Sequence, residues 1–255
     1  MGLFDIFKPK PKSASPSAPP PAGPADKNVA RLARVVGDRL SQTYDRRDAI
    51  KALHEMKTPD AVSALLRRFT FYVEPSTDDQ EEKDSAYDAI IETGALAVKP
   101  IKEFCKKAES VTWPLKMLRE LLPEDEYYKS VVELLGEHGT DYTRNVEPKV
   151  QLIGALEGHA SPDAFDAVAE FLEDVSEPVR FQAVLALLSM DDEQAVEPLA
   201  GRVADEESVR VRNKIAEGFV ARGWRVPEAQ RSAFAGAVSS EGYRVGPDGQ
   251  VGSPA

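Results

Sequence analysis

Cysteine occurs once in 255 residues, histidine three times, and aromatic residues make up only 7% of the chain. One cysteine excludes an internal disulfide and suits a reducing compartment. His54, His138 and His159 are scattered, and three scattered histidines do not make a ligand set, so no metal centre is expected. No apolar run approaches the roughly 18–20 residues that a membrane-spanning helix needs. Positive charge is also short. The net charge is −11, and residues 26–240 alone hold about −12, because residues 1–25 carry +2 and residues 241–255 carry −1. Such a field repels phosphate, so no nucleic-acid partner is expected.

Alanine and leucine are abundant instead, which favours helix. Between residues 26 and 240 nearly everything has helical periodicity, and the pattern repeats. Ala61-Val62-Ser63-Ala64-Leu65, Ala97-Val98-Lys99-Pro100-Ile101, Ala164-Phe165-Asp166-Ala167-Val168 and Ala195-Val196-Glu197-Pro198-Leu199 share one form. Alanine stands beside a larger apolar residue, another apolar residue follows three later, and all lie on one helix face. A partner form precedes it in Ala49-Ile50-Lys51-Ala52-Leu53, Leu152-Ile153-Gly154-Ala155-Leu156 and Ala183-Val184-Leu185-Ala186-Leu187. Ala52 to Ala61, Ala155 to Ala164 and Ala186 to Ala195 are nine residues each, and Ala52 to Ala186 spans four units of about 33. Two helices and two turns at this period mean an all-α fold, an α-solenoid. The pattern places six helical hairpins at about 44–73, 81–109, 112–138, 146–174, 177–204 and 208–238, behind a covering helix over 28–42. Thr58-Pro59-Asp60 and Ser161-Pro162-Asp163 fix the phase. Each puts a hydroxyl at the N-cap, proline at the first helical position and an acid in the first turn.

These residues resemble HEAT repeats, specifically the short bacterial HEAT-like repeats also found in phycobilin lyases. That pattern has a Val-Arg pair opening the first helix, then apolar-x-x-Ala-Leu, then Ala-Val-x-Pro-Leu in the second. Val179-Arg180 precedes Gln182-Ala183-Val184-Leu185-Ala186-Leu187-Leu188 and Ala195-Val196-Glu197-Pro198-Leu199. Val211-Arg212 opens a looser copy, and Arg46 takes the matching place in the first repeat. The resemblance covers about residues 44–238. It implies a scaffold or adaptor that binds other proteins. The alternative it leaves open is a repeat-scaffold enzyme such as a phycobilin-lyase-like protein. A hydroxylase of this architecture would need several iron-holding His-Glu pairs, and this chain has one, His54-Glu55. No catalytic residue, metal or cofactor is expected.

In solenoids of this type the second helices usually line the concave side, where extended partners bind. Second-helix positions of the first two repeats carry Arg67, Arg68, Lys102, Lys106 and Lys107. We take Arg67, Arg68, Lys102 and Lys106 as candidate partner-binding residues for an acidic peptide. Later equivalents are mixed: Glu170, Glu173 and Arg202. Cys105 aligns with Phe69, Leu172 and Val203 and is expected to fill core rather than react. Trp113 is expected in inter-repeat core, and Phe71, Tyr72, Tyr127 and Tyr128 either there or as anchors.

The two ends read differently. Residues 8–25, KPKPKSASPSAPPPAGPA, cannot bury a core and predict a disordered, semi-rigid linker. Residues 1–7 predict a short amphipathic motif. Wound as a helix, Leu3, Phe4, Ile6 and Phe7 fall within an arc of about 160°. Burying four such side chains gains about 6–12 kcal/mol gross, offset by about 1–2 kcal/mol per ordered residue. The balance is near zero. Lys8, Lys10 and Lys12 add up to about 1 kcal/mol each on an anionic surface. Residues 1–12 therefore suit docking on a protein partner, weak peripheral membrane contact or docking on their own solenoid. The charges follow the apolar cluster, so the segment is not a secretory signal. A cytoplasmic protein is expected, with any membrane contact on the inner face. Residues 241–255 are rich in glycine and predict a flexible tail.

Overall fold

Thr58-Pro59-Asp60 and Ser161-Pro162-Asp163 start helices where their chemistry dictates. In the computed structural model, which describes residues 24–254, Thr58 Oγ1 accepts the Ala61 amide and Ser161 Oγ the Ala164 amide, both at 3.3 Å. Each proline sits in the first turn, where its missing N–H costs nothing. Both helices then tighten into a 3-10 turn, Leu66–Thr70 in the first case and Glu170–Glu173 in the second.

Helix α1 (Pro24–Val36) is followed by six helical hairpins. They are α2 (Thr43–Met56) with α3 (Pro59–Leu65), α4 (Ser76–Ile91) with α5 (Val98–Cys105), and α6 (Thr112–Leu121) with α7 (Glu124–Leu135). Then come α8 (Glu147–Gly154) with α9 (Pro162–Ala169), α10 (Glu177–Met190) with α11 (Val196–Asp205), and α12 (Val209–Arg222) with α13 (Arg231–Val238). First helices pack on first helices, as α2 on α4 and α8 on α10 on α12. Second helices pack on second helices, as α3 on α5 and α11 on α13. Helix α1 packs on both α2 and α3, in the place of a second helix ahead of the first hairpin. This is an all-α solenoid, and its apolar core runs between the two layers without a break. Of the alanines that mark the repeat, Ala61, Ala164, Ala186 and Ala195 are at most 1% exposed, while Ala52 and Ala155 are partly buried against the same core. Their small side chains let neighbouring helices approach closely.

The arginine of the Val-Arg signature has a structural task. Arg180 donates to both oxygens of Glu206 at 2.7 and 2.8 Å and to the Asp174 carbonyl at 2.9 Å. Arg212 repeats this one hairpin later, bonding Glu241 at 2.7 Å and the Glu206 carbonyl at 2.8 Å. One hairpin earlier lysine replaces arginine: Lys149 Nζ lies 2.7 Å from Asp174 Oδ2 and 3.0 Å from the Asp141 carbonyl. Each base thus ties the linker before its hairpin to the linker after it. The carboxylates act in both directions too, since Asp174 and Glu206 accept the amides of Ser176 and Ser208, each at 2.8 Å. In the first hairpin Arg46 bonds Glu82 of α4 twice at 2.9 Å, along with the Ser41 carbonyl.

Two sequence expectations need correction. The covering helix begins at Pro24, inside the segment read as linker, and ends at Val36, not residue 42, because Gly37-Asp38 breaks it. Asp38 Oδ1 caps the Leu40 amide at 2.9 Å, and Leu40 is left 83% exposed. Residues 241–254 are not a free tail. Strands β1 (Arg244–Val245) and β2 (Val251–Gly252) pair antiparallel, and Tyr243 and Val251 are buried against the last repeat. The Val226 amide bonds the Gly249 carbonyl at 2.8 Å, and Arg231 bonds the Pro247 carbonyl at 2.7 Å. A two-stranded hairpin is marginal by itself. This one persists because it packs on α12 and α13, the last helical hairpin among the described residues.

Candidate functional site

The period of the helix decides which side chains the second-helix layer shows to solvent. On α3, α5 and the turns that follow them the outward stripe holds Arg67, Lys99, Lys106 and Lys107 together with Asp60 and Glu103, all exposed, so cations are in excess there. On α9 and α11 it holds Asp163, Asp166, Glu170, Glu197 and Asp205, also exposed. Helix α7 stands between them and neutralises part of the basic end. Its Glu133 pairs with Lys102, and Glu137 just beyond it lies 3.2 Å from Lys106. The hydrogen bond from Lys102 holds the Glu133 carboxyl below its usual range, and that to Glu137 pushes Lys106 up. Arg67, Lys99 and Lys107 have no ion pair among the described residues.

Arg68 is not on this surface, which corrects the sequence reading. It is fully buried, bonding Glu82 at 2.5 Å, Asp79 at 2.8 Å and the Phe71 carbonyl at 3.3 Å. The 3-10 turn is the physical reason. Its three-residue period puts residue 68 directly below buried Leu65, whereas the sequence period assumed was 3.6. Burial would raise the Asp79 carboxyl, but hydrogen bonds from Lys83 and Arg68 hold it low. Leu3, Phe4, Ile6 and Phe7 lie outside the described residues.

The remaining chemistry-bearing side chains are placed as follows. Cys105 is 2% exposed, and burial pushes its thiol up to about 12, so it fills core. Trp113 is half-buried between repeats, 5.2 Å from Phe69 and 5.9 Å from Tyr87. Tyr127 and Tyr128 are buried, and Tyr128 stacks on His159 at 3.7 Å. His54 Nε2 lies 2.7 Å from Glu92 Oε2 in the next hairpin. Among the described residues no three His, Cys, Asp or Glu side chains are grouped to hold a metal ion, and no helix is long and apolar enough to cross a membrane.

The acidic half of the face was only partly legible in the sequence. Arg202 suggested mixed charge there, but it is held by Glu173 at 2.9 Å and Glu206 at 3.1 Å. What remains outward is carboxylate. Between α9 and α11 runs a groove of about 770 Å3 whose apolar lining is Phe165, Ala169, Leu172, Pro198 and Gly201. A smaller groove of about 550 Å3 lies between the C-terminal ends of α3 and α5, lined by Phe69 and Phe104 with Glu103, Lys107 and Glu109. The face is thus dipolar, with apolar slots between its helices. It can hold an extended polypeptide by charge and by side-chain insertion.

In comparison with known families, residues 142–219 fit the family model described as HEAT repeats. The matched span holds the Lys149–Asp174 and Arg180–Glu206 locks and most of α12. No curated protein matches the chain.

Proposed function

From the premise that this chain is a HEAT-repeat protein, we propose that it is a non-enzymatic scaffold or adaptor that binds other proteins along its second-helix face. The observation that carries this is the sorting of charge on that face. Exposed Arg67, Lys99 and Lys107 outnumber Asp60 and Glu103 toward one end, while Asp166, Glu170, Glu197 and Asp205 stand exposed toward the other. Complementary charge steers encounter and fixes the direction in which a partner lies. Residues 1–12 supply a second, tethered contact, which raises overall affinity without any change in the first. The protein works on the cytoplasmic side of the membrane.

The test is affinity capture from the source cell with full-length protein and two charge reversals, Arg67→Glu with Lys107→Glu, and Asp166→Lys with Glu170→Lys. At least one reversal is expected to release proteins retained by the wild type, while Asp48→Lys on α2 retains them. A set of captured proteins indifferent to both reversals would count against this face.

A further inference from the structure

The groove between α9 and α11 has a binding chemistry of its own. Its floor is apolar, and its rim is acidic. Of its lining acids, Glu173 is neutralised by Arg202, but Glu197 and Asp205 have no ion pair among the described residues, nor have exposed Asp166 and Glu170, next in sequence to the lining residues Phe165 and Ala169. An occupant must bring bulky apolar groups together with cations. Residues 3–12, LFDIFKPKPK, have this composition: four large apolar side chains and then Lys8, Lys10 and Lys12.

Distance allows the meeting within one chain. Helix α1 begins at Pro24 in the row of second helices. From α1 to α9 there are four steps, through α3, α5 and α7. At 8–10 Å between packed helices this is roughly 32–40 Å. Residues 8–23, extended at about 3.1 Å each, reach on the order of 50 Å. Two other grooves are nearer, but both are less acidic. The one between α1 and α3 sets Asp60 against Arg67, and the one between α3 and α5 sets Glu103 and Glu109 against Lys107, whereas Glu173, Glu197 and Asp205 face a single Arg202 here.

We propose that residues 3–12 of this same chain occupy the groove between α9 and α11, with Phe4 and Phe7 on its apolar floor and the lysines against its acidic rim. The inference rests on the reading of the second-helix face as protein-binding, and it names the chemistry that half of the face accepts. An external partner for the acidic half must then displace the segment and resemble it, being basic with bulky apolar anchors, and only the displaced segment is free to make the second, tethered contact. Tethering supplies an effective concentration in the millimolar range, so a contact too weak to form between free molecules is populated in cis.

A spin label tests this on the full chain. Gly2→Cys provides the attachment point, while Cys105, buried and with its thiol pushed up to about 12, stays unlabelled. Loss of amide signal is expected to concentrate on α9 and α11 and to spare α2 and α4. Phe4→Ser with Phe7→Ser should abolish that loss. Glu170→Lys with Glu197→Lys should abolish it too, and adding Lys8→Glu and Lys10→Glu to this pair should restore it. Uniform broadening, or broadening centred on α1 and α3, would overturn the proposal. So would signal loss in a mixture where label and isotope sit on different molecules, since that assigns the groove to a second copy. Because no partner takes part, failure here leaves the capture result untouched, and failed capture leaves this measurement untouched.

Discussion

At the scale of single residues, the arginines of the repeat signature were legible and their partners were not. Val179-Arg180 and Val211-Arg212 stand out in the sequence, while Glu206 and Glu241 are single acids among many in polar linkers. Only the fold shows that each closes on its own hairpin. Lys149 departs from the Arg pattern, yet it is 1% exposed and paired with a carboxylate that is equally buried. Removing one member of such a pair strands a buried charge, which costs about 3–5 kcal/mol. Lys149→Ala should therefore lower stability by about that much in urea titration. Lys149→Met combined with Asp174→Leu should recover much of the loss, because apolar replacement of a whole buried pair is often neutral. Equal stability of single and double variants would show that the pair is not what holds this joint.

At the scale of the element, what escaped the sequence was local helix geometry. The second helices were expected as regular α-helices, and two of them tighten to a three-residue period. That change carried Arg68 from the surface to the core. Similarly, Gly37-Asp38 stopped α1 early although Leu40 continued its apolar pattern. The joints also give the elements a pH dependence. Burial acts to raise the Glu206 carboxyl, but hydrogen bonds from Arg180 and the Ser208 amide bring it below its ordinary 4.5. A carboxyl that is more acidic when folded adds stability above pH 4.5, and this is lost as pH falls through the folded value. Asp79 behaves likewise below its ordinary 3.8. The melting temperature should drop as the solution is acidified through this range. Glu206→Gln should melt lower near neutrality and show a shallower acid decline, as differential scanning calorimetry over a pH series would reveal.

At the scale of the whole molecule, repeat number and phase were readable because Ala-Leu pairs recur at a fixed spacing. The ends were harder, since a repeat signature says nothing of what covers the last repeat. The glycine-rich stretch after residue 240 reads as a tail, and the fold makes it a hairpin packed on that repeat. Gly249 has φ +88°, and a Cβ there would lie 2.4 Å from the Val226 carbonyl oxygen. Gly249→Ala should cost about 1–3 kcal/mol. In an array whose repeats touch only their neighbours, the damage should stay local. Hydrogen exchange should quicken in α12 and α13 and remain unchanged in α2 and α4. The joints bear on how such an array could have lengthened. Each of the Lys149, Arg180 and Arg212 locks finds its acid inside or just beyond its own hairpin. A duplicated hairpin would arrive with both halves of its fastening, and its carboxylate would cap whichever linker came next. Growth of the chain by copying would need no compensating change in the neighbours.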